Sequence, residues 1–304
     1  MYVAVARLGL QLDPVSRFAT FVWPPTGLSL AALLLFGSRL WPGVALGAVV
    51  ANVLTGAPLL VAGGIAVGNT LEALIGASAL SRIPRFRRGL DRVVDVLALI
   101  GVALASSLVS ATIGVARLSL GGVLAAGQGA ATWMAWWQGD VLGDLVVAPF
   151  LLTWVSAPWY RLTTRRAAEA VALGVAILGA SWFLLSGSAV PATGLSAFRQ
   201  PTTLLPLLIW AGLRFGTQGA SAATLLVSAV AIWSTALGHG PFIRPELHDS
   251  LAVLQAFMSV VAVTFLVMGA VTAERRRADR ERTELYHRER LVRAYAEEMR
   301  QRHG

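Results

Sequence analysis

Nine stretches of at least 14 residues in this 304-residue chain carry no charged side chain: 18–38, 40–71, 96–116, 118–139, 145–160, 170–198, 200–213, 215–243 and 250–273. A hydrocarbon core about 30 Å thick is crossed by about 20 apolar residues in a helix, so several of these windows are long enough to span it. Charge is scarce where a soluble surface would need it. Charged residues make up 13% of the chain, against about a quarter in soluble domains. Seventeen of the 41 charged residues lie in the last 31 positions, Glu274 to Gly304. With mean hydropathy at +0.67, the body belongs in lipid, and the expected fold is all-α: a polytopic transmembrane bundle over 1–273, followed by a charged helix over 274–304.

Other classes fall on composition. The net charge of +9 is carried by arginines at the ends of apolar runs and in one tail. Membrane topology explains that distribution better than nucleic-acid binding does. There is no cysteine, which excludes disulfides and thiolate metal sites. Met1 to Leu12 has neither a basic leader nor a small-residue cleavage site, so a removable signal peptide is not expected.

Length and breakers turn the windows into nine or ten crossings or partial crossings. Gly56-Ala57-Pro58 splits the 40–71 window into two helices, since proline cannot continue a helix. The 118–139 window carries Gly121, Gly122, Gly127 and Gly129 before Trp133, Trp136 and Trp137, and reads as an interfacial segment rather than a crossing. Met1 to Leu12 is short for a full span. Arginine-rich short loops stay in the cytoplasm, which places 82–92, 161–166 and the tail from Arg275 inside. That orientation needs an even number of crossings between each pair, and the sequence supplies two, near 95–116 and 140–158, then four, near 167–186, 201–213, 217–237 and 250–273. The Trp23-Pro24-Pro25 turn and the loops near 187–200 and 238–249 then face out, in a bacterial inner membrane with the C-terminus cytoplasmic.

The tail has no proline or glycine from Glu274 to Arg302, and Ala278, Leu285, Val292 and Met299 recur every seven residues. One apolar seam is compatible with a lone solvated helix and with a coiled-coil dimer. Continuity with the last crossing favours the dimer, a rod running from bilayer to cytoplasm.

Polar side chains inside lipid are costly and face the bundle interior, so they mark candidate sites. The ligand-binding candidates are Trp23, Asn52, Asn69, Glu72, Trp137, Asp140 and Asp144. Asn69 and Glu72 share one helix face, three apart; Asp140 and Asp144 stand four apart on another. Two acids a turn apart repel when ionised and so need a shared proton or a cation such as Arg17 or Arg117. Asp140 also has a bland reading, as a cap at the outer water interface. The other tryptophans fit an aromatic belt. No catalytic constellation, metal site or cofactor is expected: there is no HExxH, no phosphate loop and no lysine.

Trp23-Pro24-Pro25-Thr26-Gly27, Leu40-Trp41-Pro42-Gly43, Gly68-Asn69-Thr70-Leu71-Glu72-Ala73-Leu74, Arg85-Phe86-Arg87 with Leu90-Asp91-Arg92, Ser110-Ala111-Thr112-Ile113-Gly114 and Trp136-Trp137-Gln138-Gly139-Asp140-Val141-Leu142-Gly143 occur in this order. Over roughly 8–275 the sequence resembles the membrane-associated sensor domains of the first type, the MASE family. The resemblance implies a bacterial sensory input domain, usually followed by a kinase, cyclase or phosphodiesterase, with matching positions at Trp23, Asn69, Glu72, Trp137 and Asp140 and no catalytic residues. No output domain follows in these 304 residues, so either the natural chain continues or a partner signalling protein carries the output. The expected partners are the bilayer, an unidentified small-molecule ligand and a second copy through the C-terminal helix. The competing expectations are a proton-coupled transporter and, third, an enzyme acting on lipid.

Overall fold

A computed structural model describes residues 1–11, 22–156, 163–187 and 200–303. It is all-helical among those residues: α1 (Tyr2–Gln11), α2 (Pro24–Phe36), α3 (Trp41–Leu54), α4 (Leu59–Arg82), α5 (Val93–Leu120), α6 (Gly129–Ser156), α7 (Thr164–Leu185), α8 (Leu205–Ala236) and α9 (Leu247–His303). Short 3-10 turns, Ser38–Leu40 and Pro201–Leu204, lead into α3 and α8. Prolines stand in the first turn of α2, α3 and α8, where the missing N–H costs nothing. The Gly56-Ala57-Pro58 break separates α3 from α4 as expected.

Six helices are long and apolar enough to cross a membrane: Leu59–Arg82, Val93–Leu120, Gly129–Ser156, Thr164–Leu185, Pro201–Ala236 and Asp249–Arg290. Large apolar side chains such as Leu60, Val67, Val171, Val175, Trp182 and Val260 are exposed on outer faces, a pattern that water does not tolerate over so wide a surface. The protein is a multi-pass membrane protein.

One of those six helices is two. Gly216 in α8 has φ 64° and ψ −143°, a conformation open to glycine and strained for any other residue. A Cβ on Gly219 would fall 2.2 Å from the Ala211 carbonyl oxygen. Residues eight apart in a straight helix are separated by about 12 Å. The chain therefore reverses at Gly216, and α8 is a hairpin with a short arm over 205–215 and a longer arm over 217–236. This is the break between the passes expected near 201–213 and 217–237.

One correction concerns the middle of the chain. Half of the segment read as interfacial, 129–139, belongs to α6, which starts at Gly129, so Asp140 lies eleven residues into a 28-residue helix and not at its cap. The Trp23 turn, expected on the same side as the 118–139 segment, packs directly on it: the Trp23 N–H donates to the Gly139 carbonyl at 2.9 Å. Gly143, one turn beyond Gly139, lets the α2 backbone approach α6 closely, as small residues do between membrane helices. A Cβ on Gly143 would lie 2.2 Å from the Trp23 oxygen, and one on Gly27 would lie 2.1 Å from the Gly143 oxygen.

The apolar core has two large parts. One joins α1 to α6, and the other joins α7, α8 and Leu142 of α6. Helix α9 enters both, with Leu251, Leu254, Met258 and Phe265 in the second and Ala262, Leu266 and Ala270 in the first. Beyond the bundle it continues without a break to His303, about 85 Å in all at about 1.5 Å per residue. Residues 277–290 of it are exposed. Of the seam expected in the tail, Leu285 is exposed, whereas the side chains of Val292 and Met299 lie outside the described set, as do Arg17, Trp159 and the loop over 188–199.

Candidate functional site

The site is built where α2, α4, α5 and α6 meet. On α4, Gly68 and Gly76 admit α5 closely, through Ile113 and Ser106 respectively. That approach turns Asn69 and Glu72 toward the serines of α5. Ser107 Oγ donates to Glu72 Oε1 at 2.6 Å, and Ser110 Oγ donates to Asn69 Oδ1 at 2.9 Å. The Asn69 amide donates in turn to the Tyr2 hydroxyl of α1 at 3.1 Å, and the Trp136 indole N–H donates to Ser110 Oγ at 3.2 Å. Trp136, Ser110, Asn69 and Tyr2 thus form one directed chain across four helices. The Trp23 side chain lies beside the Tyr2 hydroxyl.

The close approach at Gly139 and Gly143 sets α2 so that Thr26 Oγ1 donates to Asp140 Oδ1 at 3.0 Å. Glu72, Ser110 and Trp136 also lie within hydrogen-bonding reach of the Asp140 carboxyl. Asp144 follows one turn later on α6. Glu72, Asp140 and Asp144 are 2%, 1% and 1% exposed, so three carboxyl groups occupy an apolar interior. Asp144 Oδ1 has no hydrogen-bond partner, and Glu72 Oε2 and Asp140 Oδ2 accept from no hydroxyl or N–H, which leaves a proton shared between those two carboxyls as the bond open to them. A buried polar atom without a partner is costly, by about 1–3 kcal/mol, and several converging in one place need a functional account.

No arginine pairs with the three acids among the described residues. Arg117, considered as a counter-ion, instead donates to the Leu60 carbonyl at 3.1 Å, and Arg17 lies outside the described residues. Among the described residues no group of three acids and histidines has the geometry of a metal cage.

Of the seven candidate residues, Trp23, Asn69, Glu72, Asp140 and Asp144 come together. Asn52 is buried but its amide turns back to the Ala48 carbonyl of its own helix. Trp137 stacks on Trp133 with centroids 6.1 Å apart and donates to the Leu104 carbonyl, while its neighbour Trp136 reaches the cluster. Tyr2, Thr26, Ser107 and Ser110 complete the arrangement; serine and threonine are too common in membrane helices to stand out by type.

Fold and site together define a class: a polytopic helical membrane protein with a polar, acid-bearing interior node linked to a helix that leaves the bundle. The chain matches the MASE1 family over residues 1–276 and belongs to that family of membrane sensory input domains. No curated protein and no solved structure matches it.

Proposed function

We propose that this chain is the sensory input unit of a bacterial inner-membrane signalling system, and that the node of Glu72, Asp140 and Asp144 is where the cue acts. The observation that carries this reading is the convergence of three buried carboxyl groups from α4 and α6, with α6 itself packed on α9. A small polar ligand or ion engaging the carboxyl oxygens changes how α2 seats on α6 and how α4 seats on α2 and α5. Helix α9 packs on α5, α6 and α8, so a shift among them moves the base of the rod. The signal leaves through α9 with its C-terminus in the cytoplasm, to an output domain or partner, with dimerisation along the tail. A ligand drives such a change only through different affinity for two arrangements.

The test is a fusion of this chain to a reporter output, with Glu72→Gln, Asp140→Asn and Asp144→Asn made singly. These substitutions keep shape and remove the acid, so membrane expression is expected to hold while output shifts at least several-fold in basal level or response. Unchanged output in all three sinks the assignment.

A proton-coupled carrier is a second reading. It is favoured by one feature: the N-terminus of α2 opens inside the bundle beside Asp140, as the broken helices of transporters do. Uptake into liposomes that depends on a proton gradient would decide for it.

A further inference from the structure

A cavity of about 300 Å³ opens between α6, α7 and both arms of α8, away from the acid node. Its walls are apolar, including Phe150, Trp154, Leu173, Ile177, Phe215 and Leu226. That volume is at the lower end of pockets that hold small organic molecules. Trp154 lines this space and donates its indole N–H to the Gln218 carbonyl at 3.3 Å.

The end of the cavity nearest the α9 exit is basic. Arg166, Ala170, Gly174 and Ile177 follow one another along α7 at helical spacing, and the last three line the cavity, so Arg166 caps the same stripe. Arg214 adjoins the lining residue Phe215 at the hairpin tip. Arg276 of α9 donates to the Arg214 and Leu213 carbonyls, and Arg166, Arg214 and Arg280 all lie within electrostatic reach of it. Glu169 is the acid among them, held by Arg214 through two bonds of 2.6 and 2.7 Å. Four arginines with one committed carboxylate leave excess positive charge at the mouth of an oily slot. Arginine pairs with phosphate through its planar fork, and basic pockets between membrane helices take anionic lipid headgroups.

We infer that this cavity binds an anionic phospholipid, with one acyl chain between α7 and the α8 hairpin and the phosphate on Arg166 and Arg280. The lipid then ties the first turn of α7 to the base of α9, where the helix leaves the bundle. This site is independent of the acid node.

The test uses tryptophan quenching in nanodiscs of the full chain. Discs contain either brominated phosphatidylglycerol or brominated phosphatidylcholine at equal mole fraction, and subtracting the signal of Trp154→Phe isolates Trp154. Quenching of Trp154 is expected to be at least threefold stronger with the brominated phosphatidylglycerol. The Arg166→Gln/Arg280→Gln double variant is expected to lose that preference. A side chain at Gly174 meets open space, with no atom within 4 Å of its Cβ position, so Gly174→Leu fills the slot without a clash. It should reduce quenching by both lipids while leaving the arginines in place. Equal quenching by the two lipids, or full quenching in Gly174→Leu, overturns the proposal, because ordinary boundary lipid behaves that way.

Discussion

At the scale of single residues, the α2–α6 contact rests on the absence of two methyl groups. Gly27 and Gly143 face backbone atoms of the opposite helix at a separation no side chain tolerates. Gly27→Ala and Gly143→Ala should each destabilise the fold by about 1–3 kcal/mol or more, as overpacking does, because backbone cannot swing aside. Gly43→Ala, where the added Cβ meets nothing within 4 Å, is expected to be neutral or slightly stabilising. Thermal unfolding of the purified protein in detergent reads the difference, and equal melting of all three would show that α2 does not sit where it is described. Ser107→Ala strips Glu72 Oε1 of its 2.6 Å donor. A loss of about 1–2 kcal/mol is expected in the same assay. Glu72 and Asp140 could be picked from the sequence because an acid at membrane depth is conspicuous. Thr26 and Ser107, which receive no attention by type alone, gain their roles only from helix packing.

Among elements, the least readable from sequence is the connection between α4 and α5. Its arginines identify it as a loop on one side, yet nothing in the residue pattern shows that it grips α9. Arg85 and Leu90 take left-handed backbone conformations at φ 61° and 52°, unusual for residues with a Cβ. The loop is pinned by Arg92, which donates to both Asp95 oxygens at 2.8 and 2.6 Å and to the Arg85 carbonyl. Asp91 is thereby presented to Arg277 of α9 at 3.8 Å and to Arg87 at 3.1 Å. Desolvation holds the Asp91 carboxyl above its ordinary range. Its ionised form is therefore less favoured in the folded protein than in the unfolded chain, so acidification through its raised pKa does not weaken the fold through this group. What acidification removes is the ion pairs. As pH falls into the window above the usual aspartate value, the base of α9 should loosen from the loop while global stability holds; Asp91→Asn should reproduce this at neutral pH. Spin labels on cysteines at Arg88 and Asp279, both exposed, measure it: the distance distribution is expected to broaden in Asp91→Asn and at low pH. An unchanged distribution in both would mean that the contact holds nothing. The pair is partly exposed, so its effect on unfolding should stay below about 1 kcal/mol.

For the whole molecule, the question is how many times the chain turns back. The order of apolar windows and arginine loops makes most of the bundle legible, because crossing a bilayer forces length and charge into a pattern that survives without any packing information. Depth is not legible in the same way, since a turn such as Trp23-Pro24-Pro25 reads alike at an interface and halfway along a neighbouring helix. The hairpin at Gly216 carries the parity of the entire C-terminal half. If α8 reverses there, the loop over 83–92 and the start of the tail lie on one side, and the turns over 121–128 and 237–246 lie on the other. Were α8 a single straight pass, the turn after it would join the 83–92 side and the tail would emerge opposite. The Arg277–Asp91 contact requires the first arrangement. Because the chain has no cysteine, single substitutions give an unambiguous map. Cysteines at Arg88 and Arg275 should be protected together from an impermeant maleimide applied to intact spheroplasts. Those at Ala126 and His239 should both be labelled by it. Labelling of His239→Cys only after the membrane is opened would refute the hairpin, and with it the route by which α9 is proposed to reach its output.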